Sequence, residues 1–196
     1  MMNIDEIKSR LQTMLSQKRF NHSIHVMEAS RMLAEKYGED IGKAELAGLI
    51  HDCARDLAKS ATFALCKKYD IIVDSIMQKR PEILHGMVGS YLAKDLFEVD
   101  CRSVLDAVAN HTMGCENMNK LSSIVFIADY IEAGRSYEGV EKIRKAAESS
   151  LEEAIVAGVD STIEDNLRKG KLLHPQIVLA RNWALEQLAG RTVGLR

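Results

Sequence analysis

A histidine and an aspartate, His51 and Asp52, stand side by side at the end of an apolar helical stretch. The preceding Leu46, Leu49 and Ile50 repeat at the spacing of a buried helix face. Adjacent helical residues lie about 100° apart, so both polar side chains border one cavity. Burying a carboxylate beside an imidazole is costly unless a cation, a proton or hydrogen bonds compensate. A divalent metal would compensate both groups at once, but the pair taken alone favours a helix that ends at a solvated Asp52.

Four more predicted helices carry a histidine or an aspartate at or beside the end of an apolar face. These residues are His22, with His25 about 60° away as an alternative inward residue, and His85, His111 and Asp129. Taken singly, each has an ordinary structural explanation, such as a hydrogen-bonded core histidine. One shared site for a metal ion and an anion explains all five helices together.

The ordered set of His22, His51-Asp52 and Asp129 resembles the H…HD…D signature of HD-domain phosphohydrolases, an all-helical superfamily. The flanking segments are similar to the YqeK branch, and they are R-F-N-H-S at 19–23, A-G-L-I-H-D-C-A-R at 47–55, H-G at 85–86, A-N-H-T at 109–112 and F-I-A-D-Y-I-E at 126–132 with Arg135. This resemblance covers about residues 19 to 182 and implies a symmetrical bis(5′-nucleosyl)-tetraphosphatase, which splits diadenosine tetraphosphate into two ADP. Ala133 departs from the pattern, since the family commonly has proline there.

The signature implies that the metal ligands are His22, His51, Asp52 and Asp129. Two imidazoles and two carboxylates suit a first-row divalent ion, with iron expected first and manganese, cobalt, nickel or zinc as alternatives. We expect one ion, with two as the alternative. The expected catalytic residues are Asp52, which orients the attacking water, and His85 and His111, which contact phosphate or protonate the leaving oxygen.

The expected nucleotide site is larger than the metal site. Arg19 and Arg135 are predicted charge partners of the polyphosphate, because a planar guanidinium matches phosphate geometry; ordinary surface charge is the alternative. With the residues implied by the resemblance, the full set is Arg19, Phe20, Asn21, His22, Arg55, His85, His111, Thr112, Asp129, Arg135, Leu173, His174 and Pro175.

Other interpretations use the same residues. The enzyme could be an HD-domain hydrolase of another nucleotide. A di-iron HD oxygenase would bind two ions through six ligands, which would be His22, His51, Asp52, His85, His111 and Asp129. A non-catalytic nucleotide-sensing module would bind nucleotide tightly without turnover. The number of ions per chain and the presence of turnover separate these interpretations.

The composition predicts a single all-α domain over residues 1–196, because 46% of the residues are hydrophobic, only two are proline and no strand-like alternation appears. A net charge of −2 argues against a protein that coats nucleic acid but allows a small anionic ligand. The charged N-terminus argues against a signal peptide, and no apolar run is long enough to span a membrane. We therefore expect a cytoplasmic protein with a small-molecule partner and, by default, a homodimer.

Helix start and stop signals predict the individual elements. Asn3 and Glu6 form the pattern of a capping box, Gly38 ends the second helix, Asp40 caps the third and Ser60 caps the fourth. The predicted helices cover about residues 3–16, 18–36, 40–52, 60–69, 85–97, 103–111, 120–131, 140–156, 161–168 and 175–188.

Overall fold

The computed structural model describes residues 2–193, and within this range the chain forms eleven α-helices and one short 3-10 helix, without any β-strand. The 3-10 helix covers Pro81–Leu84, directly before α6. The prediction of an all-α fold is confirmed. The α-helices are α1 (Ile4–Met14), α2 (Gln17–Tyr37), α3 (Ile41–Ile50), α4 (Lys59–Lys68), α5 (Ser75–Lys79), α6 (His85–Phe97), α7 (Arg102–Asn110), α8 (Lys120–Ile131), α9 (Val140–Ser149), α10 (Leu151–Arg168) and α11 (Pro175–Val193).

The predicted helix ends in the first quarter of the chain are confirmed. Asn3 Oδ1 accepts from the Glu6 amide and Glu6 Oε2 accepts from the Asn3 amide, both at 2.9 Å, which completes the capping box. Gly38 ends α2 with a left-handed φ of 66°, and Asp40 caps α3 through the Lys43 amide at 2.9 Å. These local signals correctly predict the end of α2, which carries His22, and the start of α3, which His51 follows.

Other boundaries differ from the prediction. His51 and Asp52 lie just after the end of α3 and not inside it. Ala58, not Ser60, precedes the first residue of α4. The short helix α5 was not predicted, although Asp74 caps it by accepting from two backbone amides.

The predicted helix over 140–156 is divided at Ser150. This residue is extended, with φ −158° and ψ 159°, and its Oγ accepts from the Glu153 amide at 3.1 Å. A serine hydroxyl competes with the helix for backbone groups and caps a new helix readily, which explains the break. The following helix α10 then continues through Ser161 to Arg168, where we predicted a separate helix.

The centre of the fold is α8. Eight consecutive residues, 121–128, are buried, so this helix is covered on all sides, as expected of a central helix. It packs against α2, α7 and α10, while α6 packs against α7. Among the described residues, no helix combines the length and the apolar character needed to cross a membrane.

The close packing of α2 on α3 depends on Gly48. A Cβ atom at this position would lie 2.6 Å from Ser30 Oγ and 2.9 Å from both Met27 Cα and the Val26 carbonyl oxygen. Two of these three atoms belong to the backbone of α2 and have little freedom to move. Glycine therefore permits the helix approach that brings His22 and His51 together.

Candidate metal and phosphate site

Three histidines each occupy the first position after a helix. His51 follows α3, His85 follows the 3-10 helix and His111 follows α7. Each Nδ1 donates to the carbonyl oxygen three residues earlier, at 2.7, 2.5 and 2.7 Å respectively. Because a carbonyl oxygen only accepts, Nδ1 carries the proton and Nε2 presents a lone pair. A backbone carbonyl group of the preceding turn thus orients each of the three rings.

His22 lies inside α2 and is oriented differently. Its Nδ1 lies 3.2 Å from Oε1 of Glu132, a carboxylate that is only 4% exposed. The other Glu132 oxygen lies 3.1 Å from His25 Nδ1 and accepts from the Gly134 amide at 2.5 Å. Since the His25 side chain is 41% exposed, His22 is the inward histidine of the two. Glu132 therefore directs Nε2 of His22 into the site.

The four Nε2 atoms and two carboxylates converge on one another. His22 Nε2 lies 3.3 Å from His51 Nε2 and 2.9 Å from Asp129 Oδ1, while His85 Nε2 lies 2.9 Å from His111 Nε2. With the proton on Nδ1, each Nε2 carries a lone pair, so at each of these contacts one lone pair faces another. Only a cation or an added proton between the two atoms removes this repulsion. The donors fit a first-row divalent ion in kind and spacing, because two triads each have ligand atoms within 4.8 Å of one another. The triads are His22, His51 and Asp129, and His51, Asp52 and His111.

Asp52 links the two halves of this cluster. Its side chain is buried, with Oδ1 3.0 Å from His85 Nε2 and Oδ2 3.4 Å from His51 Nε2. Burial opposes ionisation, but the neighbouring imidazoles of His51, His111 and His85 hold the pKa of Asp52 well below its usual value. The geometry thus joins His85 and His111 to the four predicted ligands in a single cluster.

The electrostatic environment shifts the pKa values of His51 and His111 in opposite directions. Burial disfavours the charged form of His51, but the carboxylates of Asp52 and Asp129 outweigh it and raise its pKa. Burial lowers the pKa of His111, and the neighbouring His85 and His51 act in the same direction. Fully buried imidazoles with opposite shifts in pKa are common at functional sites.

The two predicted arginines contact the two aspartates of the cluster. Arg19 Nη1 donates to Asp52 Oδ2 at 2.6 Å, and Arg135 Nη2 donates to Asp129 Oδ1 at 2.5 Å. Arg135 Nε also donates to the Asp129 carbonyl oxygen at 2.8 Å. The arginine side chains are 27% and 34% exposed, so both lie at the border between the buried cluster and solvent.

Two cavities adjoin the cluster and share Thr112 and Thr162. We call the larger one, of about 500 Å³, the tyrosine cavity; its walls include Asp129, Tyr130, Arg135, Tyr137, Ser161, Arg168 and Lys169. We call the smaller one, of about 180 Å³, the histidine cavity; its walls include Arg55, His85, Asn166, Leu173 and His174. Pro175 follows His174 at the start of α11.

Two predicted nucleotide contacts lie elsewhere. Phe20 is buried in the hydrophobic core, and Asn21 Oδ1 accepts from Gln17 Nε2 at 2.8 Å on an exposed face of α2. Neither lines the tyrosine or the histidine cavity. Both flank the arginine and histidine of the same segment, and a helix turns successive side chains about 100° apart. A contact of Phe20 or Asn21 with a nucleotide stays a prediction.

Two residues that shape the site had no predicted role. Glu132 orients His22, and its position three residues after Asp129 places both near one side of the end of α8. That spacing was an available signal. Gly48 acts through its close contact with α2, and only the packed structure reveals that contact.

The family model for the HD domain matches residues 19–134. The symmetrical bis(5′-nucleosyl)-tetraphosphatase of Bacillus subtilis is 31% identical over 93% of this chain and 97% of its own length. Proteins of the same description from Halalkalibacterium halodurans and Staphylococcus aureus are 36% and 38% identical, over 87% and 79% of this chain and 91% and 80% of their own lengths.

The fold also matches a solved structure. A crystal structure described as a predicted HD superfamily hydrolase involved in NAD metabolism, from Clostridium acetobutylicum, is 38% identical, with a TM-score of 0.92. The match covers 95% of this chain and 99% of that one. The helical fold, the ordered H…HD…D residues and the sequence matches agree with one another. The chain therefore belongs to the HD-domain superfamily, in the branch that contains the symmetrical bis(5′-nucleosyl)-tetraphosphatases.

Proposed function

We propose that this chain is a metal-dependent phosphohydrolase that splits diadenosine tetraphosphate symmetrically into two ADP. The observation that carries the proposal is the convergence of four imidazole Nε2 atoms and two aspartates beside two arginines. The relatives described as symmetrical tetraphosphatases support the choice of substrate and bond.

The residues that would hold the ion are His22, His51, Asp52 and Asp129. An ion bound there would polarise a phosphoryl oxygen and lower the pKa of water. Iron is our first choice, and manganese, cobalt, nickel and zinc suit the same nitrogen and oxygen donors.

The chain's own residues bind and orient the reactants. Arg19 and Arg135 lie at the solvent border of the cluster and bind the inner phosphates of the substrate. Asp52 orients the attacking water or, as base, accepts its proton, while the water oxygen forms a bond to one inner phosphorus atom. The bond from that phosphorus to the central bridging oxygen breaks, and ADP leaves roughly in line. His85 or His111, protonated at Nε2, donates a proton to the departing oxygen.

The number of ions is the second part of the proposal. His85 and His111 lie close enough to Asp52 to complete a six-ligand arrangement for two ions, and two ions also suit phosphate hydrolysis. We keep one ion per chain as the first expectation and two as the alternative. Elemental analysis of protein purified with each candidate metal distinguishes them.

Product analysis tests the reaction. Metal-reconstituted protein is incubated with diadenosine tetraphosphate, and the nucleotides are separated by ion-exchange chromatography. ADP as sole product supports the symmetrical cut, whereas AMP with ATP overturns the assigned bond. Absence of turnover with all five candidate metals favours the oxygenase or the nucleotide sensor. The matched inactive control is Asp129→Asn, which is expected to lose metal and activity but keep its helical circular dichroism.

Three further predictions complete this proposal. We propose one domain over residues 1–196, a cytoplasmic location and a homodimer. Limited proteolysis, cell fractionation and sedimentation equilibrium respectively measure these properties.

A further inference from the structure

The tyrosine cavity and the histidine cavity each include a different residue of the metal cluster in their walls. Asp129 lies in the wall of the first and His85 in the wall of the second. The Asp52 carboxylate stands between them, because Oδ2 faces His22, the partner of Asp129, and Oδ1 faces His85. Thr112 belongs to both walls and its Oγ1 lies 3.4 Å from His85 Nε2. The two cavities thus adjoin each other at Thr112 and Thr162 and reach the cluster through Asp129 and His85.

The tyrosine cavity has the size and chemistry of a nucleotide site. Its volume of about 500 Å³ falls in the range of about 300–1,000 Å³ typical of small-molecule sites. The Tyr137 ring, 37% exposed, lies in its wall with the hydroxyl donating to the Tyr130 carbonyl oxygen at 2.9 Å. This bond fixes the ring and leaves its face as a stacking surface for a base.

The same cavity carries positive side chains next to the cluster. Arg168 and Lys169 lie in its wall, and both pair with Asp165, at 3.2 and 2.6 Å. These side chains are 67% and 54% exposed, so the pairs contribute little stability and exchange readily for a phosphate partner. With Arg135, the cavity wall contains three cationic side chains, and each is paired with a carboxylate of the same wall, which is Asp129, Glu138 or Asp165.

From these observations we propose that the tyrosine cavity binds the second nucleoside diphosphate half of the substrate. This inference rests on the proposed function, since a symmetrical cut in a dinucleoside tetraphosphate leaves one ADP on each side of the cleaved bond. The half in the tyrosine cavity stacks its base on Tyr137 and places its phosphates near Arg168 and Lys169. The cavity therefore makes the enzyme prefer a substrate with two nucleosides over one with a single nucleoside.

The test compares diadenosine tetraphosphate with adenosine 5′-tetraphosphate. Both contain the same four phosphates, and addition of water at the central bond gives two ADP from the first and ADP with pyrophosphate from the second. Only the first substrate has a nucleoside for the second cavity. Wild-type protein is expected to show about tenfold higher kcat/KM for the dinucleoside substrate, which corresponds to one stacked base.

Filling the cavity should remove that preference. Ser161→Trp adds a large side chain to its wall, and the matched control Glu164→Trp lies on the same helix but lines a neighbouring cavity. Ser161→Trp is expected to lower kcat/KM for diadenosine tetraphosphate about tenfold and to change it less than about twofold for adenosine tetraphosphate. The control is expected to alter neither value. An equal loss for both substrates, or no loss, would overturn the assignment of the cavity.

A second pair of variants covers the case in which Ser161→Trp does not fold. Tyr137→Leu removes the stacking ring and is expected to reduce the dinucleoside preference about fivefold, while Tyr137→Phe keeps the ring and the preference. Equal behaviour of the two variants contradicts a stacking role. Wild-type protein that cleaves both substrates equally well overturns the second subsite alone. Wild-type protein that cleaves neither overturns the proposed function and the subsite with it.

Discussion

Glu132 gives His22 the orientation that helix ends give the other histidines of the site. It is buried and contacts His22 and His25 through its two oxygens, 3.2 and 3.1 Å from their Nδ1 atoms. A carboxylate behind a metal-binding imidazole fixes the ring and raises its basicity. At the scale of single residues, the affinity of the site for a metal ion thus depends on Glu132, a side chain that contacts no reactant.

Removing the Glu132 carboxylate should weaken metal binding. We expect Glu132→Ala to lower the affinity about 10- to 100-fold, because His22 loses its partner. Glu132→Gln should retain most of the affinity, since its amide oxygen still accepts from Nδ1. Chelator competition with Co²⁺, followed by its visible absorption, measures binding without turnover. Equal affinities for the alanine variant and the wild type would exclude this positioning role.

Arg135 should contribute more to substrate binding than to metal binding. Arg135→Ala is expected to raise the KM for diadenosine tetraphosphate about tenfold, because the substrate loses a charge-assisted phosphate contact. Arg135→Lys should restore only part of this loss, since lysine lacks the planar fork. Steady-state kinetics and metal titration provide the measurements. Arg102→Ala is the control, because the Arg102 side chain is 88% exposed. Unchanged kinetic constants for Arg135→Ala would identify it as a surface charge.

Residue types and spacing identified the inward histidines and aspartates but not all their partners. His22, His51, Asp52, His85, His111 and Asp129 converge as the shared-site interpretation expected. The orientation of Phe20 into the core and the contact between Glu132 and His22 depend on helix rotation and packing. One sequence determines helical spacing, but not the small rotations that decide which partner a side chain reaches.

The elements position these residues through one close helix contact at Gly48. Replacing a helical glycine with alanine usually stabilises a helix, by about 1 kcal/mol. At Gly48 we expect the opposite sign, with a loss of about 1–3 kcal/mol, because the new Cβ would meet two backbone atoms at 2.9 Å. Separation of α2 from α3 also moves His51 away from His22 and should weaken metal binding.

Gly42→Ala is the matched control for this helix. A Cβ at Gly42 would lie 3.5 Å from Asp40 Oδ1, an ordinary contact, so this change should be neutral or stabilising. Urea unfolding of both variants measures the free energies of unfolding. A more stable Gly48→Ala protein with unchanged metal affinity would show that the contact is not needed.

The start of α7 should make one thiol more reactive than the others. The Ser103 hydroxyl and the backbone amide of Val104 lower the pKa of Cys101, so more thiolate is present at neutral pH. Burial raises the pKa of Cys115 and of Cys66, and raises that of Cys53 to about 12. Iodoacetamide at pH 7.5 should therefore modify Cys101 first, as read by peptide mass spectrometry.

The Cys101 prediction has a direct control. Ser103→Ala removes the hydroxyl, so the pH at which Cys101 reacts at half its maximal rate should rise. Faster modification of Cys115 than of Cys101 in the wild type would contradict the prediction that Cys101 is the most reactive thiol.

The sequence predicted helix bounds well where the residues that start or end a helix are unambiguous. The bounds of α6 and α8 match the prediction. Glu98 ends α6 with a left-handed φ of 58°, and the Asn119 side chain caps the start of α8. The break at Ser150 was missed, since serine also occurs inside helices and its capping role depends on the turn around it. Local sequence alone does not show whether such a serine lies inside a helix or caps the start of a new one.

For the whole molecule, the site exists only when separate helices are packed together. Its histidines and aspartates come from α2, α6 and α8 and from the residues that follow α3 and α7. An unfolded chain brings no such set together, so an ion binds mainly to the folded state. Metal binding is therefore coupled to global stability.

A saturating ion should raise the melting temperature. At about 100 times the dissociation constant, binding adds about 2.7 kcal/mol, which corresponds to about 5–10 °C for a chain of 196 residues. Differential scanning calorimetry with metal, and with excess chelator, measures this shift. Asp129→Asn should show little or no shift, and a wild-type protein that melts at one temperature under both conditions would exclude the coupling.

The three histidines that follow helices have a consequence for protein engineering. Each ring is oriented by the backbone carbonyl oxygen three residues earlier, at 2.5–2.7 Å, so the ligand requires a single substitution and no partner side chain. His22 lies in mid-helix and requires Glu132 as well. A designer who wants a metal centre in a helical scaffold would therefore place histidines one residue past helices that end at a shared cavity. Such ligands are portable between scaffolds, whereas a mid-helix ligand must be transplanted together with its support.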